Sequence, residues 1–327
     1  MRIAQFGYGY WGPNVARNII NNKHFDLAYI CDLKADRLSL AKQLYGERTR
    51  YTQDNNVIWE DPQIEAVAIA TETSSHYDLI SRALEYGKDV YVEKPFTTSV
   101  KQAKELYKLA QEAGRTIHVD HIMIYHPAIR KIKEIIVQGE LGDLISFDCA
   151  RQNLGQIKND VSAMWDLSVH DLAIIDFLSD GAKMKKVKYI GSSIYSKKDS
   201  VSILSVKYEP GFIASCRASW LSPIKERRML IAGTEKMIVF DDVDVLNKLI
   251  VYDKGFDFDE NIPYSDFVVK SRIGDAYIPK LSVEDALYNS LEHFRTCVEE
   301  KKESSSSPAA AIRIQEIMEA ADPKGMI

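Results

Sequence analysis

The feature that most restricts this chain lies in its first twelve residues, where the apolar-biased run RIAQF (2–6) leads straight into GYGYWG (7–12). Gly7, Gly9 and Gly12 satisfy G-x-G-x-x-G between a predicted strand and a predicted helix, the context that gives this spacing its meaning. Gly7 allows a tight turn, Gly9 lets the backbone come close to a pyrophosphate, and Gly12 lets helix pack on strand. Pro13 suits a first helical turn, where backbone N–H groups have no partner inside the helix. Those N–H groups and the helix dipole attract phosphate.

The chain keeps this strand–helix rhythm through residue 120. Strands are predicted at 27–31, 66–70, 90–92 and 116–119, with helices between them; Gly46, Gly87 and Gly114 end three of these helices. Ser99 with Gln102 reads as a capping box, and Ala103, Leu106 and Ala110 as the buried stripe of the helix behind it. Alternation with short connections implies a parallel, doubly wound sheet. Beyond about residue 123 the rhythm changes. Helices are predicted at 127–138 and 163–179, and strands at 144–152, 187–195, 201–208, 212–220, 228–233, 236–240 and 246–252, with Glu209-Pro210-Gly211 as a turn. The expected division is a Rossmann domain over 1–122 and a second α/β domain over 123–327, whose last helix, 308–321, can pack back on the first. The polar stretch 301–308 is the one low-complexity patch, and no internal repeat is found.

Composition excludes several classes. A net charge of −5 argues against nucleic-acid and membrane partners, and the lysines at 183, 185, 186, 188, 197 and 198 read as solvated strand ends. Cys31, Cys149, Cys216 and Cys297 form no CxxC, which suits reduced thiols and no metal site. No leader and no apolar run near the ~18 residues of a membrane span are read, so a cytoplasmic location is expected.

Three groups carry chemistry. Asp32 falls 20 residues after Gly12 at the end of the second predicted strand, where a carboxylate accepts hydrogen bonds from an adenosine ribose. It would repel a 2′-phosphate, so NAD is expected over NADP, although Lys34 and Arg37 follow closely and soften that exclusion. Tyr10 and Trp11 in the turn, Thr71 after the strand 66–70, His76 at the next helix start and Glu93 are further candidate cofactor contacts; His76 can equally cap its helix. Lys94, in Glu93-Lys94-Pro95, follows a parallel strand whose C-terminal end faces the ligand crevice. Without further context a solvated loop lysine is the better reading of it. Asp166 and His170, in WDLSVHD, stand four residues apart on a helix that is apolar nearly all round thereafter, so they share a face of a buried element. Histidine is the usual proton carrier near neutral pH, and an acidic neighbour can orient it. Arg151 and Asn153 are candidate sugar or diphosphate contacts or ordinary strand-end polar residues. Tyr125, His126 and Trp165 can stack on a ligand or pack in the core. His24, His118, His121 and His293 suggest no role.

The early glycine turn, EKP at 93–95, GELGDL at 139–144 and D-x-x-x-H at 166/170, in this order over nearly the whole chain, resemble the glucose–fructose oxidoreductase/inositol dehydrogenase (Gfo/Idh/MocA) family. The resemblance implies an NAD-dependent oxidoreductase acting on CH–OH, and a C-terminal α/β domain with a large open mixed or antiparallel sheet. That sheet commonly mediates homodimers or homotetramers. It further implies that Lys94, Asp166 and His170 converge on the reacting carbinol, with His170 as acid/base. Within the family, RQNLG (151–155) and DVSAMWDLSVHD (160–171) resemble the subgroup that oxidises the C3 hydroxyl of nucleotide-linked amino sugars such as UDP-N-acetylglucosamine. A sugar aminotransferase would then consume the ketone, in lipopolysaccharide or surface polysaccharide synthesis. The alternatives are the related UDP-N-acetylglucosaminuronate, a free polyol such as inositol, and a non-catalytic NAD or sugar sensor, since fold alone does not fix function.

Overall fold

A computed structural model describes residues 1–209, 211–257 and 270–323; Pro210, assigned above to a turn, lies outside them. The chain divides into two compact units, Met1–Tyr125 with Glu284–Gln315, and His126–Val283 with Glu316–Ile327.

The first unit is built on β1 (Arg2–Phe6), β2 (Asp26–Cys31), β3 (Arg50–Thr52), β4 (Ala66–Ile69), β5 (Asp89–Glu93) and β6 (Ile117–Asp120), in the order β3-β2-β1-β4-β5-β6. Every pairing is parallel. Intervening helices are α1 (Gly12–Asn21), α2 (Ala35–Tyr45), α3 (Asn56–Trp59), α4 (His76–Glu85) and α5 (Val100–Ala113). Both faces of the sheet are covered, which is why β4 is apolar at every position. Val67 and Ile69 join one core with Ala4, Phe6, Val90 and Val92, while Ala66 and Ala68 join another with Ile3 and Tyr91. Ser99 caps α5 by accepting from Gln102 N–H at 3.3 Å, but the Gln102 side chain accepts from the Thr98 hydroxyl instead of closing a capping box. The short, polar β3 and single-turn α3 carry too little apolar pattern to be read from sequence.

The second unit contains α6 (Pro127–Val137), a π-helical turn at Met164–Ser168, α7 (Val169–Leu178) and an eight-stranded mixed sheet. Its strands are β7 (Leu144–Leu154), β8 (Met184–Ser192), β9 (Val201–Tyr208), β10 (Ile213–Ser219), β11 (Leu221–Gly233), β12 (Met237–Asp241), β13 (Leu249–Asp257) and β14 (Lys270–Tyr277). They run β14-β13-β12-β11-β7-β10-β9-β8. Among these described strands β7 and β10 pair in parallel and the other neighbours are antiparallel. Side chains alternate strictly along β9: Ser202, Leu204, Val206 and Tyr208 are buried, while Ile203, Ser205 and Lys207 face out. The buried face receives the π-helical turn, which packs on β7, β9 and β10.

Two further α-helices among the described residues are α8 (Ala286–Glu300) and α9 (Pro308–Ala321). The sequence pattern does not place α8, yet Leu287, Leu291 and Phe294 belong to a core of the first unit. Ala311 and Ile312 of α9 belong to another. Among the described residues no helix is long and apolar enough to cross a membrane.

Candidate active site

The glycine turn is closed by contacts that leave no space for side chains. A Cβ on Gly7, whose φ is +88°, would lie 2.4 Å from the Ala70 carbonyl oxygen, and one on Gly12 would lie 2.5 Å from that of Gly7. Gln5, fully buried on β1, donates from Nε2 to both carbonyls of this turn, Gly7 at 2.8 Å and Gly12 at 2.9 Å. Its role is not visible in the sequence, where it reads as one polar residue in a strand. Pro13 sits in the first turn of α1 as expected. A narrow backbone cradle at a helix N-terminus fits a dinucleotide pyrophosphate.

Asp32 ends β2 beside the turn. Its Oδ2 accepts from Tyr8 N–H at 2.7 Å and from Arg37 Nη1 at 3.3 Å, and its Oδ1 accepts from Lys34 N–H at 2.9 Å. Arg37 also lies against Gly9, 3.4 Å from where a Cβ would be. One side chain thus spans the turn and the Asp32 carboxylate. Asp32→Ser is expected to narrow the preference for NAD over NADP by removing a negative charge and releasing Arg37 towards a 2′-phosphate. Adding Arg37→Ala should remove the gain. An unaltered chain binding NADP as tightly as NAD in a titration would overturn this role of Asp32.

The other candidate contacts of the first unit divide. Tyr10 is fully open at the tip of the turn, whereas Trp11 is half-buried against the core. Thr71 accepts from the Ser75 hydroxyl at 2.8 Å. His76 is not available to a cofactor: it is fully buried, with Nδ1 3.1 Å from Pro95 O and Nε2 3.2 Å from Thr71 O. It ties the loop after β5 to the loop after β4. Burial holds its pKa down, against the pull of those carbonyls. Tyr125 is likewise core rather than ligand contact, 1 % exposed and stacked on His118 at 5.6 Å. Lys94 follows β5 and is joined to Pro95 by a cis peptide bond, where the sequence implies only an extended Lys94. Glu93, Asp120 and His121 lie at the same strand ends; burial and then the charge of Lys94 hold His121 down to about 3, a neutral imidazole. Neither His121 nitrogen has a partner among the described residues.

In the second unit the helix predicted over 163–179 divides into the π-helical turn and α7. Over 161–175 only Asp166, Leu167 and His170 are not buried. The element is therefore core on all sides but one, and that side bears the carboxylate and the imidazole. A π turn at such a position is a recurrent mark of functional sites. Asp166 Oδ1 accepts from Lys158 Nζ at 2.9 Å, a cation that the sequence pattern does not single out.

Arg151 corrects an expectation. It is 6 % exposed, and both Nε and Nη2 donate to Asp171 Oδ1, at 3.2 and 2.8 Å. Because side chains alternate along β7, Arg151 points to the buried face and meets the residue next to His170. It is a strut of the helix that carries His170, not an open diphosphate ligand. Trp165 is also structural, 1 % exposed with Nε1 donating to Asp322 O at 3.3 Å. His126 caps α6 by accepting from Ala128 N–H, and its Nε2 lies 3.7 Å from Asp242. Asn153, near the end of β7, remains half-buried beside Gly155.

Residues 1–121 match the model of an oxidoreductase family with an NAD-binding Rossmann fold, and residues 129–239 match the GFO/IDH/MocA C-terminal domain. The chain is similar to scyllo-inositol 2-dehydrogenase (NAD(+)) of Bacillus subtilis (strain 168), 29% identical over 317 residues, covering 92% of this chain and 87% of that one. It is similar to UDP-N-acetylglucosamine 3-dehydrogenase of Acidithiobacillus ferrooxidans, 28% identical over 195 residues, 59% of this chain and 60% of that one. The solved structure of the latter enzyme shares the fold with a TM-score of 0.81 at 24% identity, over 98% of this chain and 96% of that chain.

Proposed function

This chain belongs to the Gfo/Idh/MocA oxidoreductase family, and we propose that it oxidises the C3 hydroxyl of a nucleotide-linked amino sugar, UDP-N-acetylglucosamine or a close relative, to the ketone. The observation that carries the reading is the pair Asp166 and His170 at the one open edge of an otherwise buried helix. Bound NAD supplies the hydride acceptor. His170 removes the hydroxyl proton as C–H cleavage proceeds, and Asp166 stabilises the protonated ring. Lys94 hydrogen-bonds the same oxygen and offsets the negative charge that develops there.

The nucleotide sugar is supported by the RQNLG and WDLSVHD pattern and by the likeness to the Acidithiobacillus enzyme. Lys158, 40% exposed beside Asp166, is an additional cation for an anionic substrate. A polyol such as inositol is the second reading. It is favoured by the burial of Arg151, which withdraws one cation from a diphosphate, and by the longer likeness to the inositol enzyme. Incubation with NAD⁺ and a panel of UDP-sugars, TDP-sugars and inositols, followed by absorbance of the reduced nicotinamide, separates the two. UDP-N-acetylglucosamine is expected to support reduction and inositol is not. Turnover of inositol with silence on every nucleotide sugar would reverse the assignment. A coupled aminotransferase, the enzyme class expected to consume the ketone, draws the equilibrium forward.

The outer face of the eight-stranded sheet bears exposed Ile203, Ile213 and Leu230. This supports a homodimer or homotetramer formed through that face, which light scattering would measure.

A further inference from the structure

We propose that Glu93 and Asp120 hold one proton between them, so that the pair carries a single negative charge at the strand ends beside Lys94. The two are the last residues of adjacent parallel strands and stand in register, Glu93 opposite Asp120. Asp120 is 1 % exposed. Glu93 Oε1 and Asp120 Oδ2 are both buried with no hydrogen-bond donor among the described residues, yet the two carboxyl groups are within hydrogen-bonding reach of one another. An ionised carboxylate only accepts. Contact between two such groups, away from water, requires a proton on one of them, because like charges at that distance do not both ionise.

The neighbouring hydrogen bonds say which group keeps it. Asp120 Oδ1 accepts from the hydroxyl of Ser290, on α8, at 2.7 Å. Having donated its one proton, Ser290 Oγ can only accept from Tyr91 OH at 3.1 Å and His118 Nε2 at 3.0 Å. With its proton on Nε2, His118 accepts at Nδ1 from Ser304 Oγ at 2.9 Å. Asp120, approached by the hydroxyls of both Ser290 and Tyr91, is the ionised member, and protonated Glu93 donates to it. Burial, and then the Asp120 charge, push Glu93 well above the usual carboxylate range, in agreement with this count.

The consequence concerns Lys94. His121, next to Asp120, is neutral. The charge of Lys94 acts on Glu93, so the carboxyl pair contributes a counter-charge to that ammonium, with Asp285 at the cap of α8 adding to the field at Asp120. A single charge keeps Lys94 protonated and hydrogen-bonding, where two would attract a second cation or a water. The shared proton rests on the strand register and the hydrogen bonds around Asp120; its effect on turnover rests on the role proposed for Lys94.

Two amide variants and their combination test this, because E93Q or D120N leaves one ionised carboxylate held by an amide, whereas E93Q/D120N leaves none. In infrared spectra at neutral pH the unaltered protein should show the carbonyl stretch of a buried protonated carboxylic acid, and each single variant should lack it. The double variant should lose about tenfold more kcat on UDP-N-acetylglucosamine and NAD⁺ than either single variant, as Lys94 loses its counter-charge. Absence of the band from the unaltered protein, or single variants as impaired as the double, would overturn the proposal. If the unaltered protein turned over no nucleotide sugar, the substrate assignment would fail, while the infrared band would still decide the shared proton.

Discussion

His170→Ala is expected to lower kcat by about 10²–10⁴-fold, the usual cost of losing a general base, while NAD affinity stays near that of the unaltered chain. Hydride leaves carbon only as the hydroxyl loses its proton, so removing the proton acceptor harms the chemical step and not binding of the cofactor to the first unit. Lys94→Ala should be comparable, because it removes the cation proposed to offset the developing negative charge. Asp166→Asn should cost less, unless the amide holds the imidazole in the wrong tautomer. It also releases Lys158, whose Nζ lies 2.9 Å from the carboxylate, so its effect on KM for an anionic substrate should exceed that on KM for NAD. The pH profile of kcat should lose one ionisation in His170→Ala. Unchanged kcat and an unchanged profile would mean that His170 is not the base. Neither Tyr125, sealed in the core, nor His126, which caps α6 and meets Asp242, is placed to take over.

Arg151→Ala should destabilise the protein by about 3–5 kcal/mol, because removing one member of a buried ion pair leaves the other charged and without compensation. The side chains of Arg151 and Asp171 are 7% and 4% exposed, and Asp171 Oδ2 has no other donor among the described residues. Replacing both members together, as Arg151→Met with Asp171→Leu, should recover much of that loss, since two apolar groups fill the space without a stranded charge. Denaturant unfolding of the three variants measures the difference. A different outcome would restore the diphosphate role read from the sequence: Arg151→Ala unfolding at the unaltered midpoint while KM for a UDP-sugar rises and KM for a polyol does not.

Much of this molecule is local in origin and therefore legible. The glycine spacing, the strand–helix alternation through residue 120 and Asp32 at the end of β2 arise from steric needs that neighbouring residues express by themselves. The same holds for Asp166 and His170, because helical spacing places residues four apart on one face whatever surrounds them. β3 and α3 are too short to show a period, and α8 joins the first unit through Leu287, Leu291 and Phe294, whose ring meets that of Tyr91 from a distant part of the chain.

Spacing along the chain was enough to specify the cofactor fold, the cradle for the pyrophosphate and the residues that carry the proposed chemistry. What the polar residues around them do was settled by folding. Arg151 reads as a ligand contact until β7 turns it to the buried face and Asp171 engages it. Asp120, which the sequence pattern does not single out, gains its partners only when parallel register sets it opposite Glu93 and α8 brings Ser290 to it. Such roles depend on which strand or helix lies alongside. The cost of burying an unpaired polar group, which makes those partners necessary, arises only once the chain has folded and excluded water.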